Sequence, residues 1–173
     1  MILVFPGSFD PVTKGHLDVA LRSSRFADKV IFAVFENPSK RALFTVSERL
    51  RFIAGAVAET SLGIASFEID SFSGLLGEYA KKKNAAAILR GLRNSDDFAA
   101  ELPYSIHNKN LSGGVDTLYL ASDPGFSHIS SSIVKEIASY AFANEFGEDA
   151  LAKLVPDSVF EALKEKYTKK VEG

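Results

Sequence analysis

Five short, continuously apolar segments alternate along this chain with segments whose apolar residues recur at helical spacing. The apolar segments span residues 2–5, 30–35, 65–69, 86–89 and 117–121. Strands without polar alternation are buried on both faces, which is typical of a parallel sheet covered by helices on each side. The sequence therefore predicts an α/β fold. We expect a single domain over residues 1–173, with a Rossmann-like, doubly wound parallel sheet of about five strands and a helical C-terminus.

Local signals predict where several helices begin. Thr45 and Glu48 have the spacing of a capping box, in which each side chain accepts from the backbone N–H of the other residue. Ser95 and Ser130 are the expected N-caps of two later helices. Pro103 lies inside the helix predicted after Ser95. Because proline removes an N–H donor, we expect a kink or an early break there.

Composition limits the classes of function. The 173 residues are 46% hydrophobic, which is enough for one well-packed core. A formal net charge of -2 and a pI near 5.9 lack the basic excess of a nucleic-acid-binding protein. The absence of cysteine excludes a disulfide framework and a thiolate metal site. No stretch approaches the roughly 20 apolar residues of a membrane helix. We expect a soluble, cytoplasmic protein that binds neither nucleic acid nor membrane.

The stretch PGSFDPVTKGH, residues 6–16, links the first predicted strand to the first helix. Gly7 and Gly15, with two prolines, rule out regular structure over most of it and let the backbone approach a ligand closely. Lys14 and His16 fall at the start of the helix, where cations are unfavourable unless an anion lies between them. The stretch therefore predicts an anion site, with phosphate as the expected ligand.

In doubly wound sheets, ligands bind beyond the carboxyl ends of the strands, where the strand order reverses. The polar residues that the loops bring to this edge are Ser8, His16, Lys40, Arg90, Arg93 and Ser130 to Ser132. Their spacing matches neither a nucleophile relay nor a zinc-binding histidine pair. Taken singly, His16 and the serines also fit helix capping, and Lys40 fits a solvated loop. Together they indicate cations and donors around phosphates, since guanidinium groups bind phosphate in a bidentate manner.

The same stretches carry a family resemblance. PGSFDPVTKGH resembles the nucleotidyltransferase signature G-x-F-x-P-x-T-x-G-H. NPSKRALFTVSER, ILRGLRNSDDFAAE and ISSSIVKE resemble, in the same order, segments of the bacterial phosphopantetheine adenylyltransferases. The similarity covers roughly residues 2–138 and resumes at LVPDSVFEAL. It implies transfer of the adenylyl group of ATP to 4'-phosphopantetheine, which gives dephospho-coenzyme A and pyrophosphate. It also implies Mg²⁺ as a cofactor and a homohexameric assembly.

The resemblance further implies roles for individual residues. His16 and Ser8 would be the catalytic residues, acting on the reacting phosphate. The residues implied for phosphopantetheine binding are Ser8, Lys40, Leu76 and Arg90. The residues implied for ATP binding are Ser8, Phe9, His16, Gly91, Leu92, Arg93, Glu101, Phe126, Ser127, His128, Ile129, Ser130, Ser131 and Ser132. No residue is implied as a metal ligand.

Two alternatives stay open at this point. The first is an adenylyltransferase or cytidylyltransferase of the same superfamily with another acceptor, such as nicotinamide mononucleotide. Lys40 and the RGLR segment favour phosphopantetheine over these acceptors. The second is a non-catalytic sensor of nucleotide or coenzyme A. The joint presence of Ser8, His16, Arg90 and Arg93 with Lys40 argues against a sensor, which has no need of a charge-stabilising set.

Overall fold

Five parallel strands form one sheet in the computed structural model, which describes residues 1–36, 41–60, 65–144 and 147–171. The strands are β1 (Ile2–Gly7), β2 (Lys29–Phe35), β3 (Ser66–Phe72), β4 (Ala87–Leu92) and β5 (Asp116–Ala121). The helices are α1 (Lys14–Ser23), α2 (Val46–Glu59), α3 (Leu76–Lys82), α4 (Ser95–Ser112), α5 (Ser131–Asn144), α6 (Glu148–Ala152) and α7 (Asp157–Val171). The predicted α/β class and helical C-terminus are confirmed. Within the described ranges, no helix has both the length and the apolar character needed to cross a membrane.

The strand order is β3-β2-β1-β4-β5. The chain moves outward from β1 through β2 to β3, then returns to the other side of β1 to form β4 and β5. The winding therefore reverses between β1 and β4, where Leu3 pairs with Ala87 and Val4 with Ile88. Loops that leave the carboxyl ends of these two strands diverge, and the space between them is the usual ligand site of a doubly wound sheet.

The central strands are buried on both faces. Leu3 and Phe5 of β1 belong to one hydrophobic cluster, while Val4 between them belongs to another. Residues of α1, α2, α5 and α7 pack in the first cluster, and residues of α3 pack in the second. Because successive side chains of a strand point to opposite faces, burial on both sides requires an uninterrupted apolar segment.

Two of the predicted helix starts are confirmed. The Thr45 hydroxyl accepts from the Glu48 N–H at 3.2 Å, and the Glu48 carboxylate accepts from the Thr45 N–H at 2.7 Å. The Ser130 hydroxyl accepts from the N–H of Ile133 at 3.2 Å, so Ser130 is the N-cap of α5. These side chains satisfy N–H groups that have no carbonyl partner inside the helix.

The start of α4 differs from the prediction. Its N-cap is Asn94, whose side-chain oxygen accepts from the Asp97 N–H at 2.9 Å, so the prediction of Ser95 is wrong by one residue. Asparagine and serine cap helices about equally well, and local sequence does not separate two adjacent candidates. The early break at Pro103 does not occur, because α4 continues to Ser112. Ala99, whose carbonyl loses its donor to proline, is exposed, so water can solvate that oxygen.

Strand β4 extends beyond its predicted end. The ladder with β5 continues through Arg90 opposite Tyr119 and Gly91 opposite Leu120. Arg90 is therefore part of a regular strand, and the pleat of that strand fixes the direction of its side chain.

Candidate active site

A cavity of about 410 Å³ lies at the reversal point between β1 and β4. Its walls come from the loop after β1, the end of β4, the start of α4 and the segment between β5 and α5. The predicted site residues that line it are Ser8, Phe9, His16, Arg90, Gly91, Arg93, Glu101, Phe126, Ile129, Ser130, Ser131 and Ser132. The fold thus gathers residues from four separate stretches of the chain around one space.

The loop after β1 is held in an unusual backbone conformation. Phe9 has a φ of 44°, a left-handed value that is strained for a bulky residue and persists only where the surroundings fix it. Its buried ring meets Phe5 and His16 edge to face, with centroid separations of 5.5 and 5.1 Å. A Cβ on Gly7 would lie 2.9 Å from the Phe9 ring. Glycine at position 7 therefore makes room for the ring that packs against His16.

His16 is the third residue of α1 and combines a capping role with a place in the cavity. Its Nδ1 accepts from the Thr13 N–H at 3.1 Å and lies 2.9 Å from the Thr13 hydroxyl. Burial of the ring, together with the positive charges of Arg90 and Arg93, lowers the pKa of His16 to about 4. The ring is neutral at pH 7, so it can donate one hydrogen bond and accept one.

Two guanidinium groups face the cavity, and each is held by a carboxylate of α4. Glu101 binds Arg90 in a bidentate manner, and Arg90 also donates to the Pro6 carbonyl at 2.8 Å. Asp97 accepts from both Nε and Nη2 of Arg93, at 2.9 and 2.8 Å. Both cations are thus oriented before any ligand arrives. The pairing of Arg90 with Glu101 was not predicted, since local spacing does not relate a strand residue to one 11 positions later in a helix.

The serines that open α5 have different surroundings. Ser130 caps the helix. Ser131 donates its hydroxyl hydrogen to the Pro11 carbonyl at 2.8 Å, which ties α5 to the loop after β1. Ser132 is exposed and lines the cavity. Capping and cavity lining are therefore combined in this segment.

A second cavity of about 770 Å³ adjoins the first. It shares Ser8, Ser131 and Ser132 with the first cavity and extends over the ends of β2 and β3 to Phe35 and Ser73. The two spaces therefore meet along Ser8, which is exposed, and the first two residues of α5.

Asp10 links the loop after β1 to two other parts of the chain around these cavities. Its buried carboxylate accepts from the N–H groups of Leu43 and Phe44, both at 2.9 Å, and from Lys135 Nζ at 3.0 Å. Sequence reasoning missed this role, because its partners are 33 to 125 residues away. Three charge-assisted hydrogen bonds fix the loop after β1 against α5 and against the segment before α2.

Arg49 was also missed. It lies beside Glu48 of the capping box, and its position in the sequence predicts an exposed place on the helix surface. Its side chain is nevertheless buried, with only 4% of the residue exposed. Its guanidinium donates to the Ser8 carbonyl at 2.8 Å and to the Phe35 carbonyl at 3.4 Å. Arg49 thus holds the backbone of Ser8 next to the end of β2.

Some predicted site residues line neither of these two cavities: Leu76, Leu92, Ser127 and His128. The Ser127 hydroxyl donates to the Pro124 carbonyl at 3.1 Å within its own turn. Leu76 packs against the hydrophobic cluster beneath α3. Lys40 lies outside the described residues. In the part of the chain that the structure describes, no three His, Asp or Glu side chains group closely enough to hold a metal ion.

Comparison with known proteins identifies the family. Residues 4–137 match the cytidylyltransferase-like family. The phosphopantetheine adenylyltransferase of Caldanaerobacter subterraneus subsp. tengcongensis is 45% identical over 168 residues, which cover 97% of this chain and 98% of the relative. That of Heliobacterium modesticaldum is 41% identical over 172 residues, covering 99% and 96%. The chain belongs to the phosphopantetheine adenylyltransferase family. Membership confirms the resemblance predicted from the four sequence segments.

Solved structures support the same fold for this member of the phosphopantetheine adenylyltransferase family. Plasmodium falciparum nicotinic acid mononucleotide adenylyltransferase, complexed with NaAD, superposes with a TM-score of 0.64 at 14% identity and covers 98% of this chain and 95% of its own. A bifunctional NMN adenylyltransferase/ADP ribose pyrophosphatase from Francisella tularensis gives a TM-score of 0.56 at 15% identity, covering 99% and 54%. At these identities the likeness concerns the fold alone.

Proposed function

We propose that the protein transfers the adenylyl group of ATP to 4'-phosphopantetheine in the cytoplasm, releasing pyrophosphate and dephospho-coenzyme A. The observation that supports this most directly is the meeting of two cavities at Ser8, Ser131 and Ser132, since group transfer brings the reacting atoms of two ligands to one point. His16, Arg90 and Arg93 surround that point on one side. Relatives that are 45% identical over nearly the whole chain are named phosphopantetheine adenylyltransferase.

We propose direct attack of the acceptor phosphate on the α-phosphorus of ATP, without a covalent intermediate. A covalent intermediate on Ser8 would need a base that removes its hydroxyl proton. The two groups best able to act as that base are already engaged in other hydrogen bonds. The Asp10 carboxylate accepts from two backbone N–H groups and from Lys135, and His16 Nδ1 faces Thr13. The remaining donors and cations suit stabilisation of charge on the five-coordinate phosphorus and on the departing pyrophosphate.

The residues divide between the two substrates. His16 and Ser8 donate hydrogen bonds to the reacting phosphate. Arg90 and Lys40 contact phosphopantetheine, with Arg90 held in place by its carboxylate partner. The family resemblance adds Leu76, which lines neither cavity in this structure. The contacts to ATP come from Phe9, Gly91, Arg93, Glu101, Phe126 and residues 129–132. The family resemblance adds Leu92, Ser127 and His128, which line neither cavity in this structure.

Magnesium in this proposal arrives bound to ATP. Mg²⁺ prefers carboxylate, water and phosphate oxygens, and it commonly keeps few protein ligands when a nucleotide is present. The carboxylates that line the first cavity, Asp97 and Glu101, are both committed to arginines. The donor set therefore suits an ion held through the phosphate oxygens of the nucleotide, where it neutralises part of their charge.

We propose that the protein assembles as a homohexamer. The surface of α4 and the adjoining edge strand β5 supports self-association, because several large apolar side chains are exposed there. Tyr104 is 67% exposed and Ile106 is 55% exposed. The other members of this surface are Phe98, Leu102, Leu111 and Leu118. Exposed large apolar side chains on one helix and its neighbouring strand are the kind of surface that a protein–protein interface covers.

The activity is tested by measuring pyrophosphate release from Mg-ATP with three acceptors in turn: phosphopantetheine, nicotinamide mononucleotide and glycerol phosphate. Release with phosphopantetheine alone is the expected result. Preferential release with another acceptor would favour a different transferase, and no release with any acceptor would favour a sensor. His16→Ala should fold and lose at least about 10²- to 10³-fold in turnover. His107→Ala, which removes an exposed histidine of α4, is the matched control.

A further inference from the structure

We propose that Thr13 is a positioning residue that holds the His16 imidazole in the tautomer with its proton on Nε2. The effect of this tautomer on catalysis rests on the function proposed above, whereas the tautomer itself is a property of the protein alone. The evidence is the hydrogen bonding of one ring nitrogen to a single buried residue.

The backbone of Thr13 determines what Nδ1 can do. Its N–H points at His16 Nδ1 over 3.1 Å. A backbone N–H is always a donor, so Nδ1 must offer a lone pair and cannot carry a proton in this arrangement. A neutral imidazole has one N–H, which therefore lies on Nε2.

The hydroxyl of Thr13 favours the same tautomer. Oγ1 accepts from the His16 backbone N–H at 3.4 Å, which leaves its hydrogen free to point at Nδ1, 2.9 Å away. Thr13 is 1% exposed, so water does not compete for these groups. Two donors thus converge on one ring nitrogen in a site that excludes solvent.

This arrangement leaves Nε2–H as the hydrogen-bond donor of the ring. Among the residues that the structure describes, Nε2 has no hydrogen-bond partner, and His16 lines the cavity where the reacting phosphate is proposed to lie. In the opposite tautomer, Nε2 would present a lone pair to the phosphate, and the lone pair would repel the anion. The tautomer therefore decides whether His16 stabilises or opposes the developing negative charge.

The chain contains an ordinary capping box for comparison. At the start of α2, Thr45 and Glu48 exchange the same pair of hydrogen bonds, with a carboxylate as the acceptor. In α1 the acceptor is an imidazole, whose second nitrogen remains available for a ligand. The cap of α1 is thus a device that orients a functional group, whereas the cap of α2 satisfies helix N–H groups.

Nuclear magnetic resonance of the unliganded protein tests the tautomer directly. Long-range ¹H–¹⁵N correlation of the imidazole rings gives a different pattern for each tautomer. The chain has three histidines, so His16→Asn suffices to assign the His16 signals. We expect the Nε2-protonated pattern at pH 7. An Nδ1-protonated pattern would overturn the proposal whether or not the enzyme activity is as proposed.

Substitution of Thr13 tests its part in the effect. Thr13→Ser keeps the hydroxyl and should keep both the tautomer and kcat. Thr13→Val keeps the backbone N–H that fixes the tautomer and removes the hydroxyl that helps to orient the ring. It should therefore keep the Nε2-protonated pattern while lowering kcat at least about 10-fold and changing the KM for ATP less. Thr45→Val supplies the stability cost of losing a threonine cap where no imidazole is involved. A Thr13→Val protein with the kcat of Thr13→Ser, or one with an Nδ1-protonated ring, would contradict the assignment.

Discussion

Protonation of His16 is predicted to lower the stability of the fold in mild acid. The ring has a pKa of about 4 in the folded protein, against an ordinary value of 6.5, because it is buried and lies close to Arg90 and Arg93. Below pH 6.5 the unfolded chain binds a proton that the folded protein excludes. Stability that is present at neutral pH is therefore lost as the pH falls from about 6.5 to about 4.

The size of the effect follows from the two pKa values. The gap between 6.5 and about 4 corresponds to about 3.4 kcal/mol of unfolding free energy once the pH is below both values. Between pH 7 and pH 5 the loss is about 2 kcal/mol. Since domains are stable by about 5–15 kcal/mol, this change is large enough to measure by urea unfolding.

The assay compares unfolding free energies of the wild type and His16→Asn at pH 7 and pH 5. Asparagine has no titrating ring and places an amide oxygen near the position where Nδ1 accepts from Thr13. The fall in stability between the two pH values should be about 2 kcal/mol smaller in the variant. His107→Asn controls for replacement of an exposed imidazole and should keep the wild-type fall. Equal falls in the wild type and His16→Asn would refute a neutral His16.

Three further substitutions test other parts of the account. Gly7→Ala should destabilise the fold by about 1–3 kcal/mol and lower kcat, because the new methyl group would meet the Phe9 ring at 2.9 Å. Glu101→Gln should raise the KM for phosphopantetheine by about 10-fold, because it releases the bidentate hold on Arg90. Ile106→Glu should shift the assembly to smaller species in light scattering, because it adds charge to a 55% exposed apolar position.

Each of these has a matched comparison. Gly55→Ala adds a methyl group inside α2 at an ordinary contact distance, so it should be neutral or stabilising, unlike Gly7→Ala. Asp97→Asn loosens Arg93 instead of Arg90 and should raise the KM for ATP more than that for the acceptor. Phe26→Glu adds the same charge to a different exposed apolar residue and should leave the assembly unchanged. If a substitution and its matched control give the same result, the physical reason given for that substitution is wrong.

The sheet could be predicted because its physical signal is local. Burial on both faces leaves no place for polar residues, so β1 and β2 appear in the sequence as unbroken apolar segments. The ends of elements were less predictable. Arg90 continues β4 by pairing with β5, and the end of the strand tolerates its charge because the side chain has a carboxylate partner. Asn94 competes with Ser95 for the same capping position. Both outcomes depend on neighbours that a local pattern does not identify.

The residues of the candidate site also divide into those that local sequence predicts and those that it does not. His16, Ser8 and Arg93 could be named because they lie next to a helix start or a strand end, and those positions meet at one edge of the sheet. Asp10 and Arg49 could not be assigned their roles, because they act on backbone groups 33 and 41 residues away. Their hydrogen bonds arise only when separate loops are brought together by the fold.

The central claim is that one phosphate attacks another directly across the point where the two cavities meet. It is tested most directly by the stereochemistry of transfer from adenosine 5'-O-(1-thiotriphosphate) of a single configuration at the α-phosphorus to 4'-phosphopantetheine. A single in-line displacement inverts that configuration, and inversion in the thio-dephospho-coenzyme A product is the predicted result. Retention of configuration would require two displacements and a covalent enzyme intermediate, and would contradict the account.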